Sequence, residues 1–383
     1  MKKINPLSGS YPVNQYPQGF HLCPGRCYFC RNACQNCRAR DVCSRLNAWL
    51  DGGIMEAFNG PLVSTRREDS SRVAPVIGVY LSGHEALGVI TGPKELLPKG
   101  GGRTKALIAD KSVSGVVAAT DTVVKGLVSR IPNGNRHGVE IGVALSGHLD
   151  PSTGRVVHSS DFRERERSWF DVPLSMRVAE STGFPTHLIN DANALAIDSH
   201  YTARQGMSNF ASVLVGEFGL GCGLIVNGNL VLGENGVSGE IGHIPVALGQ
   251  PQLCRCGGSY CLERIVTRAA IEAKLADVFA TEEPDPEVIG AAGLKIYEDA
   301  GHALGIALVV LINLLNPSAI AIHAPDDLLD VPAFIEEAQT TAKRCSFSNV
   351  GASCNIFTRR LEPIGIARGA AVYVQSLRQP VDA

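Results

Sequence analysis

The sequence contains no apolar run near the roughly 20 residues that a membrane span needs; among its longest is ALVVLINLL at 307–315. Its N-terminus, MKKINPLSGSYPVNQYPQG, lacks the apolar core of a secretory signal. These two absences lead to the expectation of a cytoplasmic protein with no membrane partner. Charge of neither sign is in excess: 35 Lys and Arg face 37 Asp and Glu, a formal net charge of −2. A global electrostatic attraction to nucleic acid or to a membrane surface therefore has no basis, and only a local basic patch could serve. No short-period repeat and no low-complexity tract interrupts the chain. What remains is 383 residues, 45% of them hydrophobic, enough for two or three compact domains with a proper core.

Cysteine, by contrast, is not scarce. Of twelve, six fall within residues 23–43 and three within 254–261, while Cys222, Cys345 and Cys354 stand apart. In a chain without a secretion signal, such clusters point to metal before disulfides. His243, Cys254, Cys256 and Cys261 form His-x10-Cys-x-Cys-x4-Cys, with Gly257 and Gly258 letting the last gap fold back. Three thiolates and one imidazole make a closed tetrahedral set, suited to structural zinc (Zn2+); buried free cysteines are the alternative. The N-terminal set is Cys23, Cys27, Cys30, Cys34, Cys37 and Cys43. Its first three match the C-x3-C-x2-C spacing of an iron–sulfur cluster, but no barrel-sized sequence follows to surround one. A second metal ion, an Fe–S cluster or redox sensor, and unligated thiols all stay open for this set.

Residues 1–72 are rich in Cys, Arg, Asn and Pro and read as a separate Cys-rich module. From Val76 onward, strand and helix patterns alternate. VIGVYLSG and ALGVITG read as a strand pair, 112–130 as an amphipathic helix, and THLIND (186–191) as a strand that delivers Asn190 and Asp191 to its C-terminal edge. Residues 210–233 read as strand, glycine turn, strand, then a hairpin at Asn227-Gly228. Helical pattern dominates 264–315, NPSAIAIHA reads as a short strand, and the last helix covers about 363–377. Strand triplets followed by helices, twice over, predict an α/β protein of two lobes. The expected boundaries are 73–190 with a returning C-terminal helix (about 361–383), and 191–360 carrying the zinc site. Ligands in such sheets bind beyond the strand C-terminal ends, where the polar signatures fall.

Asp191 is either a helix N-cap or a base that takes the proton of an attacking sugar hydroxyl. Asn190 offers a donor and an acceptor to neighbouring hydroxyls. Glu240 and His243 are three apart, so a single turn aims both the same way. GLGCG (219–223) has the glycine content of a phosphate cradle, though a tight turn needs no more.

INDANALA (189–196), GLGCGLIVNG (219–228), GENGVSGEIGHIPV (233–246) and CRCGGSYCLE (254–263) together resemble the ROK family of repressors and sugar kinases, over roughly residues 76–378. The resemblance implies an actin-like, two-lobed sugar kinase fold, usually a homodimer or homotetramer. It implies hexose contacts at Asn190, Asp191, Glu240, His243 and Glu263 with Gly147 nearby, Asp191 as the base of a kinase, and zinc on His243, Cys254, Cys256 and Cys261. Against the family's kinases, three nucleotide elements depart. Tyr80-Leu81-Ser82-Gly83-His84-Glu85 replaces Asp-x-Gly-Gly-Thr-Lys. Glu217-Phe218-Gly219 replaces Gly-Thr-Gly, and His323-Ala324 replaces a double glycine. The expectation is thus a sugar-responsive transcriptional regulator, a repressor binding a hexose, amino sugar or sugar phosphate between its lobes. Residues 36–57 resemble the end of a winged helix, with Arg38, Arg40 and Arg45 toward the phosphates of operator DNA. The alternative is an ATP- and Mg2+-dependent hexose or N-acyl-hexosamine kinase with an atypical nucleotide site.

Overall fold

The computed structural model describes residues 74–93, 102–203, 207–279 and 286–378. The six cysteines of 23–43, the expected DNA contacts Arg38, Arg40 and Arg45, and the whole 1–72 module lie outside the described residues.

Two five-stranded sheets organise the rest. The first contains β1 (Val76–Leu81), β2 (Glu85–Thr91), β3 (Arg103–Leu107), β4 (Glu140–Leu145) and β8 (Thr186–Asn190), in the order β3-β2-β1-β4-β8. The second contains β9 (Phe210–Val215), β10 (Leu220–Val226), β11 (Asn229–Leu230), β12 (Ala319–Ala324) and β13 (Asn355–Arg360), in the order β11-β10-β9-β12-β13. Counted along the chain, both sheets run third, second, first, fourth, fifth. In both, the first three strands pair antiparallel and the last two join in parallel. One α/β plan is therefore built twice. The parallel strands explain the sequence pattern: β9 (FASVLV) and β12 (AIAIHA) are buried at every position, as sheets covered on both faces require.

Helix α1 (Val113–Val128) starts on Ser112, whose hydroxyl accepts the Gly115 N–H at 3.1 Å. Its buried residues Val116, Ala119, Thr120, Val123, Val124 and Leu127 recur at helical spacing and cover the first sheet. After α2 (Leu174–Thr182) comes α3 (Asp191–Thr202), which is buried on nearly all sides, from Ala192 through Ser199. It packs on α7 (Pro363–Leu377) and on β9 and β10, so it lies between the two sheets. Arg368 of α7 pairs with the buried Asp198 of α3, and α7 itself returns to cover β1, β2 and β4. In the second half, α4 (Arg268–Phe279), α5 (Pro286–Leu315) and α6 (Pro332–Cys345) complete the core. Gly290–Leu315 is long and apolar enough to cross a membrane by composition, longer than the run seen in the sequence, but half of its apolar window is buried inside the protein. Ala303, Leu304, Ala307, Leu308, Leu311 and Ile312 fill the second core.

A third sheet was not anticipated. β5 (His148–Asp150), β6 (Arg155–Glu164) and β7 (Arg167–Val172) form an antiparallel three-stranded insertion between β4 and α2. Phe162 and Trp169 stack on its inner face, ring centroids 4.8 Å apart. This sheet reaches the other half of the molecule: His148 Nε2 lies 2.9 Å from the Asn235 carbonyl, and Arg255 Nη1 lies 3.4 Å from Ser160 Oγ.

Candidate ligand pocket and metal centre

The loop from Gly233 to Glu263 carries both the metal ligands and part of the pocket. Glu240 opens a single 3-10 turn, Ile241–His243, which aims its side chain and that of His243 the same way. The His243 ring faces two directions. Its Nδ1 lies 3.7 Å from Cys254 Sγ, and its Nε2 lies 3.8 Å from Glu240 Oε2. Beyond it, the chain doubles back through the bridges Pro245↔Cys261 and Leu253↔Ser259. Within that fold-back, the Cys254 N–H donates to the Gly258 carbonyl and the Gly257 N–H to the Cys254 carbonyl, each at 2.9 Å. The four predicted ligands converge: the donor atoms of His243, Cys254, Cys256 and Cys261 all lie within 4.8 Å of one another. Cys256 and Cys261 sulfurs are 3.5 Å apart. A tetrahedral ion with metal–sulfur bonds of about 2.3 Å has edges near 3.8 Å, so the cage has the right size for a four-coordinate metal. Burial, then the neighbouring thiols, pushes the Cys261 thiol up to about 12. Cys256, by contrast, is held low by the Gly258 N–H and by Cys261. An ion in this cage would be fully coordinated by protein, would hold the thiols as thiolates and would fix the His243 ring.

The pocket's other wall comes from the first sheet. Asn190 ends β8 and caps α3. Its Oδ1 accepts the N–H of Ala192 at 2.9 Å and of Asn193 at 3.3 Å, and its amide donates to the Gly147 carbonyl at 3.2 Å. The acceptor of Asn190 is thereby used by the helix, leaving an amide hydrogen for a ligand. Gly147 has φ of +122°, and a Cβ there would lie 2.5 Å from the His158 carbonyl oxygen, so this position admits only glycine.

Asp191, the first residue of α3, sits among other acids. Desolvation raises its carboxyl to about 7; the Ala192 N–H at 2.8 Å opposes this, and the charges of Asp161 and Glu240 add to it. Asp161, on β6, accepts the Ser146 hydroxyl at 2.5 Å. Glu240 is raised first by desolvation; His243 and His148 oppose the shift and Glu263 adds to it. Glu263 Oε1 lies 3.9 Å from Cys254 Sγ, tying this acid to the metal loop. Tyr80 of β1 is raised by burial, then by Asp191 and Asp161. The structure thus brings the predicted Gly147, Asn190, Asp191, Glu240, His243 and Glu263 to one place. It adds Ser146, His148 and Asp161, which had not been singled out in the sequence, and Tyr80, which had been noted only as a departure from the first nucleotide element. Chemically, the pocket is rich in acceptors, with imidazole and amide donors beside them, as neighbouring hydroxyl groups on one ligand require.

The three sequence elements corresponding to a nucleotide site are engaged elsewhere. In the first, the Ser82 hydroxyl accepts the Glu85 N–H at 3.2 Å, and Glu85 faces Lys105 at 3.4 Å. In the second, Glu217 accepts from Arg268 at 2.9 Å; the same guanidinium reaches Asp327 at 2.6 Å and Glu272 at 3.1 Å. The third differs from expectation. β12 runs through Ala324, so His323 lies inside the strand. It is buried against Ser199 of α3, Nε2 to Oγ 2.9 Å, and burial lowers its pKa to about 4. The residues after the strand are Pro325, Asp326 and Asp327, and Asp327 is held by Arg268. One cation therefore fastens the 217–219 turn to the turn that follows β12.

The family model of the ROK family matches residues 113–376. The chain is 31% identical over 206 residues to a glucokinase of Halalkalibacterium halodurans, covering 48% of this chain and 60% of that protein. It is 32% identical over 201 residues to the DNA-binding transcriptional dual regulator NagC of Escherichia coli, covering 48% of each. Across such curated relatives the chain spans about half of their length. Among solved structures, a ROK family transcriptional regulator homologous to the E. coli MLC protein superposes with a TM-score of 0.63 at 20% identity, covering 88% of both chains. A ROK family glucokinase from Streptomyces griseus, solved with glucose and AMPPNP, superposes at 0.61 and 22% identity over 78% of this chain and 98% of that one. At these identities the likeness is one of fold, shared by regulators and kinases alike.

Proposed function

The chain belongs to the ROK family, and we propose that it is a sugar-responsive transcriptional regulator within it, binding a hexose or amino sugar in the Asp191–Glu240–His243 pocket. The observation that carries this reading is the Arg268 junction. In a kinase, the 217–219 turn and the turn after β12 must receive phosphates; here they carry carboxylates already paired with Arg268. Tyr80 stands where a kinase of the family has the aspartate of its first turn. The ligand side, by contrast, has its acids, its histidine and its metal cage together.

In this reading zinc occupies the cage, because three thiolates and one imidazole suit it among biological ions. The ion does no chemistry on the ligand; it stiffens the loop that presents His243 Nε2, Glu240 and Glu263. Sugar hydroxyls donate to Asp191 from the first sheet's edge and to Glu240 from the second half. A ligand that contacts both favours whichever lobe arrangement brings them together. In a homodimer, that shift would change the spacing of two DNA-contacting heads.

The second reading, an ATP-dependent hexose kinase, rests on Asp191. An acid raised to about 7 is well matched to a general base at neutral pH. Calorimetry with a panel of hexoses and amino sugars, run beside a coupled ATP-turnover assay on the full chain, separates the two. The expected result is saturable sugar binding that Asp191→Ala abolishes, without turnover. Sustained, Asp191-dependent ATP consumption would overturn the regulator reading.

A further inference from the structure

A second recess lies against the metal loop and takes no part in the pocket described above. It is a small recess of about 80 Å³, open to solvent, and its walls include Leu248, Tyr260, Cys261, Arg264 and Lys274. None of Asp161, Asp191, Glu240 and Glu263 lines it. Its lining contains two cations and no carboxylate; Gln250, Gln252 and the Tyr260 hydroxyl supply the remaining polar groups.

The cations are unusually placed. Arg264 Nε is shielded from solvent and has no hydrogen-bond partner. Among the described residues, neither Arg264 nor Lys274 belongs to an ion pair. The neighbouring Arg268, in contrast, is held by three carboxylates. Two like charges facing one recess repel each other, and an anion held between the Arg264 and Lys274 side chains relieves that repulsion. Guanidinium presents a planar fork that matches phosphate or carboxylate, and ammonium adds a point charge.

We propose that this recess is an oxyanion-binding site, taking the phosphate or carboxylate group of a small molecule between Arg264 and Lys274. The site is separate from the sugar pocket but mechanically close to it. Cys261 is a wall of the recess and a metal ligand at once, and Arg264 directly follows Glu263.

The test is calorimetric titration of the full-length, metal-loaded chain with inorganic phosphate and, separately, with citrate, at an ionic strength fixed by potassium chloride. The expected result is saturable binding of at least one of them at one site per chain. In Lys274→Gln, affinity falls at least tenfold while metal content and the melting transition are unchanged. Arg264→Gln repeats the test on the more enclosed cation, and Lys274→Gln decides alone if that variant does not fold. Phosphate binding without citrate binding assigns a phosphate group, and the converse a carboxylate; both support the site. No saturable heat with either anion, or equal affinity in the folded variants and the parent, overturns it.

Discussion

Asp191 gives the sharpest quantitative test, because the pocket holds its negative charge at a cost to stability. Its carboxyl rises from 3.8 in the unfolded chain to about 7 in the native one, through desolvation with Asp161 and Glu240 adding to it. Between those two values the native state binds a proton that the unfolded state has released. Stability contributed by the neutral acid is therefore complete below pH 3.8 and is lost progressively as pH rises to about 7. At about 1.4 kcal/mol per pH unit the full difference is about 4 kcal/mol. Solvent still reaches part of the residue, and screening reduces the expected figure to about 2–4 kcal/mol. Asp191→Asn removes the ionisation and retains an oxygen for the Ala192 N–H. Urea unfolding of parent and variant, compared from pH 5 to pH 8.5, should show the variant ahead by a margin that widens up to pH 7 and then stays level. The same substitution should weaken sugar binding, since an amide offers one acceptor oxygen where the carboxylate offers two. A variant no more stable than the parent at pH 8, or a margin that narrows with rising pH, would refute the assignment of a strained, ligand-accepting carboxylate.

Two further substitutions test the loop that faces Asp191. Cys254→Ser should leave the chain without its loop metal by elemental analysis of a purified 73–383 chain alongside the full one, and should weaken sugar affinity about 10- to 100-fold by releasing His243. Gly239→Ala places a Cβ 1.8 Å from the Cys222 carbonyl oxygen at a backbone φ of +89°. It should cost more than about 3 kcal/mol in urea unfolding, through strain and backbone displacement together.

What the sequence made legible was local. The metal cage could be read because four ligands lie within nineteen residues and their spacing constrains how the loop folds. The hairpin at Asn227-Gly228, the amphipathic helix over 112–130 and the continuous apolar strands β9 and β12 could be read for the same reason. The β5–β6–β7 sheet could not. Its central hairpin reads FRERERSW, and the turn lies at Arg165 with φ of +57°, where neither Gly nor Asn announces it. Within that hairpin, Phe162 and Trp169 are the apolar residues that mark the inner face. β3 (RTKAL) was equally silent: it is a polar edge strand with no buried residue. Because Asp161 arrives on that unread sheet, the pocket seemed to have fewer acids than it has. Arg268 was hidden in another way, since its partners Glu217 and Asp327 are 51 and 59 residues distant. That pairing changes the argument about the 217–219 turn. Where the family's kinases have Gly-Thr-Gly, an unpaired Glu217 would repel phosphate. In the folded chain its charge is already balanced by Arg268, so repulsion is muted. The stronger obstacle is structural: a phosphate entering there must break a guanidinium junction that also holds Asp327. On the regulator reading proposed above, the departures from the family's nucleotide motifs are then better understood as replacement of a phosphate site by an internal ion-pair junction than as erosion of glycine motifs.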